Sequence, residues 1–308
     1  MGIQRNWPPP LDDVLNACPT RGLQEIAWCV GSPPLMESSP GVHHSGQAAA
    51  EAARLGFEVW MRRAMSAGFE GDSLEQGPNN RRLGHRFETC VSAWFRHHPE
   101  WTLEAANHVV QLGKRTAGEI DLLVDHAGEV LHLELAVKFY LSTSGSARWD
   151  TWVGVDPVDR LDIKLDKFKT QVALSTQPAV ALHLKQFGWK VDEQSVWMKG
   201  WFFEHFKRMA APILPTNAAL NCNVGWWCHA ADWPEIWSAA GDWVAIAPQH
   251  WLRVRHNAAD VVELKSADAL PADLLKNRAC MVAMVEREED VCRETVRGIV
   301  VHDRWPLP

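Results

Sequence analysis

The chain has no run of 18 or more apolar residues, which excludes a helical membrane span of ordinary length. Met1 to Pro10 is polar and proline-rich and lacks the charged-then-apolar layout of a secretory signal, so a cytoplasmic setting is expected. The seven cysteines are an odd number and contain no C-x-x-C pair. Cys222, Cys228 and His229 lie close in sequence but lack the regular four-ligand spacing of a structural zinc site. Reduced thiols are the expectation. The paired histidines, His43-His44 and His97-His98, fit no zinc-ligand spacing either. No internal repeat or low-complexity tract is visible. Tyrosine is nearly missing, with one Tyr against 17 Trp, most of them after position 90. Indole rings can stack on unpaired bases, but filling a core is the expected use of so many.

What is present suits a globular protein. At 308 residues and 46% hydrophobic content the chain can bury one large core or two modest ones. The net charge of −7 argues against a protein that coats nucleic acid by bulk electrostatics. That charge is uneven. Residues 81 to 170 hold 12 Lys and Arg against 13 Asp and Glu, so this window contributes only −1 and leaves room for a local nucleic-acid surface.

Two β-prone runs in that window carry charges unusual for buried strands. They are Gly118-Glu119-Ile120-Asp121-Leu122-Leu123-Val124 and Leu131-His132-Leu133-Glu134-Leu135-Ala136-Val137-Lys138. Side chains alternate along a strand, so Glu119 and Asp121 share one face, while Glu134, Ala136 and Lys138 share a face of the second run. Pairing through the Asp125-His126-Ala127-Gly128 turn brings Asp121, Glu134 and Lys138 toward one patch. Water-facing cross-strand pairs are the ordinary use of such charges. The apolar residues around them instead suggest central strands, where charge needs a partner or a cation. Two carboxylates suit a hard divalent ion such as Mg²⁺ or Mn²⁺, and an ammonium beside them suits phosphate.

This pattern resembles the PD-(D/E)XK nuclease superfamily, in which an Asp on the second core strand is followed by Glu-x-Lys on the third. Here Glu134 follows Asp121 by thirteen residues, but Ala136 stands where the Lys would fall. Lys138 is one pleat further, about 6.7 Å along the strand and on the same face. The chain from about residue 80 onward also resembles a bacterial family, domain of unknown function 1853, usually placed in that superfamily. The matching segments are Arg82-Leu83-Gly84-His85-Arg86-Phe87-Glu88, Glu134 to Tyr140, Asp159 to Leu165, Lys199-Gly200-Trp201 and Arg297 to Val301. The resemblance implies an acidic ligand from the first core helix, here Glu88. It also implies phosphate contacts from the helix after the third strand, here Arg160, Lys164 and Gln171. On pattern alone these last three lie on an ordinary solvated helix face.

The expected fold is therefore α/β, a restriction-endonuclease-like core of mixed central sheet flanked by helices. An N-terminal helical arm (1–79) precedes the core (80–210), and a Trp-rich α+β appendage (211–308) follows it. Helices are expected near 11–17, 45–66, 81–97 and 158–175. Loops are expected at Gly31 to His44, at Gly68 to Asn80 and at 142–157. Strands are expected near 103–111, 118–125, 129–140 and 195–205, then at 224–229, 243–247, 279–286 and 295–302. The expected function is Mg²⁺- or Mn²⁺-dependent hydrolysis of nucleic-acid phosphodiesters. Asp121 and Glu134 hold the ion with Glu88, Glu119 lies beside them, and Lys138 assists catalysis. The alternative is a non-enzymatic module of the same fold that binds nucleic acid or protein.

Overall fold

The computed structural model describes residues 9–69, 71, 82–238, 241–267, 270–271 and 279–307. The expected Gly77-Pro78-Asn79-Asn80 loop and the first eight residues of the arm lie outside the described residues. Four helices come first: α1 (Pro9–Ala17), α2 (Arg21–Gly31), α3 (Gly46–Ser66) and α4 (Leu83–Arg96). Strands β1 (Trp101–Leu112), β2 (Arg115–His126), β3 (Glu129–Ser142) and β4 (Trp152–Gly154) follow, then α5 (Leu161–Val172) and α6 (Pro178–Lys185). The remainder holds β5 (Val191–His205), β6 (Val224–His229), α7 (Trp233–Ile236), β7 (Asp242–Ile246), β8 (Arg255–Asn257), β9 (Val261–Glu263), β10 (Ala279–Glu288) and β11 (Val291–Val301).

The chain forms two compact units, neither continuous in sequence. One comprises Pro9–Val137 and Lys164–Lys199. The other includes Lys138–Ile163 and the chain from Gly200 onward. Strands β3 and β5 and helix α5 each begin in one unit and end in the other.

In the first unit the strand order begins β1-β2-β3, antiparallel throughout. The β2–β3 hairpin closes through Ala127 and Gly128, with φ of 55° and 90°. Two residues with positive φ are what a tight hairpin with matching twist requires. Helix α4 buries Phe87, Cys90, Val91, Trp94 and Phe95, at the spacing of a single helical stripe. It is tied to α2 by an enclosed ion pair in which Arg86 donates to Glu25 at 2.5 and 2.6 Å. Helix α5 turns Leu161, Leu165, Phe168 and Val172 inward, leaving Lys164, Lys167 and Gln171 on other faces.

In the second unit the order β5-β6-β11-β10-β7-β9 mixes parallel and antiparallel pairing. β6 lies between β5 and β11, parallel to both. Trp226, Trp233 and Trp243 pack with Val282, Val300 and Leu264 in one cluster. Among the described residues twelve Trp are buried, so these indoles chiefly fill cores. All seven cysteines are free and buried. Among the described residues no helix is long and apolar enough to cross a membrane.

Candidate functional site

The site is built where β2 and β3 stop pairing. Their ladder runs from His126↔Glu129 to Leu122↔Leu133. One residue further, the Asp121 side chain replaces the next rung: its Oδ2 accepts from the Leu135 backbone N–H at 2.8 Å. Strand separation thus opens a gap beside Asp121, and α4 and α5 border it. A cavity of about 570 Å³ results, lined by Glu88 from α4, Glu119 and Asp121 from β2, and Lys164, Lys167 and Gln171 from α5.

Glu134 lies at full depth beneath this cavity. Its Oε1 meets His132 Nε2 at 2.9 Å, and its Oε2 accepts from Gln171 Nε2. His132 Nδ1 in turn meets the Ser175 hydroxyl at 2.8 Å, and Gln171 Oε1 accepts from Lys164 Nζ at 3.3 Å. A continuous polar chain therefore runs Lys164–Gln171–Glu134–His132–Ser175. Both oxygens of Glu134 are satisfied, which is what permits a carboxylate at zero exposure.

The electrostatics follow from crowding acids in a half-closed space. Asp121 is pushed up to about 7, first by burial and then by Glu134. The Leu135 N–H opposes this, Glu88 adds to it, and Lys164 opposes it. Glu88 is also raised, again first by burial. His85, whose Nδ1 is 3.5 Å from Glu88, pulls it back, while Glu119 and Glu134 push it further up. Acids in this position favour a proton or a cation between them.

Of the residues singled out from sequence, Glu88, Asp121, Lys164 and Gln171 line the cavity, as does Glu119. Glu134 reaches it through Gln171. Lys138 and Arg160 belong to the second unit. There the Lys138 ammonium donates to Asp159 at 2.6 Å, and Tyr140 Oη donates to the same carboxylate. Arg160 grips Asp162 with two hydrogen bonds, at 3.0 and 2.5 Å. Sequence reasoning overlooked His132 and Ser175, and it read Lys167 only as part of the polar face of the α5 helix. The signal for His132 is its same-face position two residues before Glu134.

Hard carboxylate oxygens at this density fit Mg²⁺ or Mn²⁺, and the α5 ammoniums fit an anionic substrate. No curated protein and no solved structure matches the chain significantly. The family model for a domain of unknown function (DUF1853) matches residues 24–301, and the chain belongs to that family.

Proposed function

We propose that the Asp121 cavity hydrolyses nucleic-acid phosphodiesters with Mg²⁺ or Mn²⁺, on a core of the restriction-endonuclease-like (PD-(D/E)XK) kind. The observation that carries this reading is the convergence of Glu88, Glu119 and Asp121 with Lys164 and Lys167 on one cavity. Asp121 would hold the ion, with Glu88 or Glu119 as further oxygen ligands. Glu134 would join them only if Gln171 released its Oε2. When bound, such an ion makes water a better nucleophile near neutral pH and offsets phosphate charge. Lys164 is placed to steady the phosphate and the negative charge that develops during attack. Gln171 links that lysine to Glu134, so movement of α5 changes both together. Lys138, held by Asp159, would need to leave that partner to take part.

The satisfied Glu134 and the alanine at position 136 favour a second reading, a binding module that has lost turnover. Calorimetric titration of Mn²⁺ and Mg²⁺ into the wild type and Asp121→Asn separates the possibilities, followed by cleavage assays on single- and double-stranded DNA and RNA. The nuclease reading expects saturable binding that the variant loses, and metal-dependent cleavage that Asp121→Ala abolishes with an unchanged circular dichroism spectrum. Cleavage unimpaired in Asp121→Ala would sink it. Metal binding without cleavage of any of the four substrates supports the module.

A further inference from the structure

Three polar side chains gather in the second unit at the ends of the parallel strands β5 and β6. His205 closes β5, His229 closes β6, and Asp232 follows in the turn 230–232. Their nearest ligand atoms all lie within 4.8 Å of one another. The carboxyl ends of parallel strands are where open sheets commonly place ligands, because the chains diverge there into loops. β6 alternates cleanly at this point: Trp226 and Cys228 face the apolar cluster, which leaves Trp227 and His229 on the opposite face. The neighbouring thiol is therefore directed away from the triad.

The orientation of His229 is the telling feature. Its Nε2 meets the Trp305 backbone carbonyl at 2.9 Å, and a carbonyl can only accept, so Nε2 carries the proton. Its Nδ1 then lies 3.8 Å from Asp232 Oδ2. Either a proton or a metal ion between Nδ1 and the carboxylate satisfies both groups. An Nε2–H anchored on a backbone carbonyl is also the arrangement that steers a metal-binding imidazole. His205 packs edge-on against Trp227, with ring centroids 4.7 Å apart, which fixes its plane. Its Nδ1 receives only a long 3.4 Å approach from the Lys207 N–H. The Lys207 ammonium stands 3.8 Å from Asp232 Oδ1 and 3.5 Å from Glu235, so it partly offsets the negative charge there.

We propose that His205, His229 and Asp232 form a zinc site with three protein ligands and an open fourth position. Two imidazole nitrogens and one carboxylate oxygen suit Zn²⁺ better than Mg²⁺ or Ca²⁺, which prefer all-oxygen sets. Tetrahedral Zn²⁺ with bonds near 2.0 Å needs ligand atoms about 3.3 Å apart. A contraction of about 1.5 Å from the outer separation is within side-chain reach, since all three residues are only half-buried. The bound ion would join the ends of two strands to the C-terminal turn through Trp305. The open position would accept water or an anionic group. This site is independent of the Asp121 cavity.

The test uses the full chain after removal of metal with a chelator, titrated with Zn²⁺ by calorimetry and with Co²⁺ by visible absorption. With the cavity's proposed ion removed by Asp121→Asn, the expected result is one equivalent bound, a Co²⁺ spectrum without a thiolate charge-transfer band, and a rise in Tm with Zn²⁺. His229→Gln and Asp232→Asn should each lose at least tenfold in affinity and lose the Tm rise, while Asp121→Asn keeps both. Folding of each variant is checked by circular dichroism, with His205→Gln as the replacement where one does not fold. The proposal is overturned if the wild type binds no Zn²⁺, if the folded ligand variants bind it as tightly, or if a thiolate band shows cysteine ligation.

Discussion

Asp121 is the residue on which the proposed chemistry turns, because it is crowded by like charge and partly removed from water. Its folded pKa of about 7 stands above the ordinary 3.8. Above pH 3.8 the unfolded chain has given up this proton while the folded chain retains it. Its contribution to stability is therefore full below pH 3.8 and is lost as pH rises through 7. Asp121→Asn should accordingly stabilise the metal-free protein by about 1–3 kcal/mol at pH 8 and by little at pH 4, read from urea unfolding at both values. Because a cation competes with the same proton, Mn²⁺ affinity should rise roughly tenfold per pH unit below about pH 6, bend over near 7 and level off above about 8. A flat profile would show that Asp121 is not a ligand. Lys164 offers a complementary prediction. Lys164→Met should keep Mn²⁺ binding while cleavage falls by about 10²-fold or more, the scale of losing one charge-stabilising donor.

At the scale of elements, a few enclosed contacts hold the pieces in register. Gly200 in β5 has φ of +133°, and a Cβ there would meet the Lys138 carbonyl of β3 at 1.8 Å. Gly200→Ala should destabilise the protein by about 3 kcal/mol or more, since backbone would have to move. Circular dichroism melts can measure this. The Glu25–Arg86 pair joins α2 to α4 and is almost wholly buried. Removing one partner leaves a buried charge, so Arg86→Met should cost about 3–5 kcal/mol, and the double variant Glu25→Leu/Arg86→Met should recover most of it. In the second unit Arg297 plays a similar part. It donates to Glu294 and to the carbonyls of Trp251 and Arg253, and its guanidinium lies 4.8 Å from the Trp201 ring centre. These arginines and the glycine fall in the Arg82–Glu88, Lys199–Trp201 and Arg297–Val301 segments that carried the family resemblance. Their roles here are structural.

Over the whole molecule, the negative charge sets an expectation for binding. Without divalent cation, a chain of net charge −7 should bind duplex DNA with a Kd above about 1 μM at physiological salt, weakening as salt rises. Fluorescence anisotropy with and without Mn²⁺ would show whether neutralising the carboxylates tightens it. The elements most legible in the sequence were those with a clean period. The stripe of α4 and the alternation of β2 over Glu119 to Leu122 declare themselves because one face of each is apolar and the other is not. The carboxylates of β2 and the lysine face of α5 stood out for the same reason. Helix α2 was missed because nine of its eleven residues are buried, which erases the contrast between faces. Helix α6 was missed because eight largely apolar residues after a proline carry little periodic signal. The sequence by itself thus determined the elements with a clear period, the family and the acidic and basic residues available. Only the tertiary structure decided which of them meet. It separated Lys138 onto Asp159, brought Lys164 to the Asp121 cavity, tied Glu134 to His132 and Gln171, and assembled His205, His229 and Asp232 from two strand ends and a turn. The physical reason is that local periodicity records burial along one element, whereas a site depends on where strands stop pairing and which ends converge.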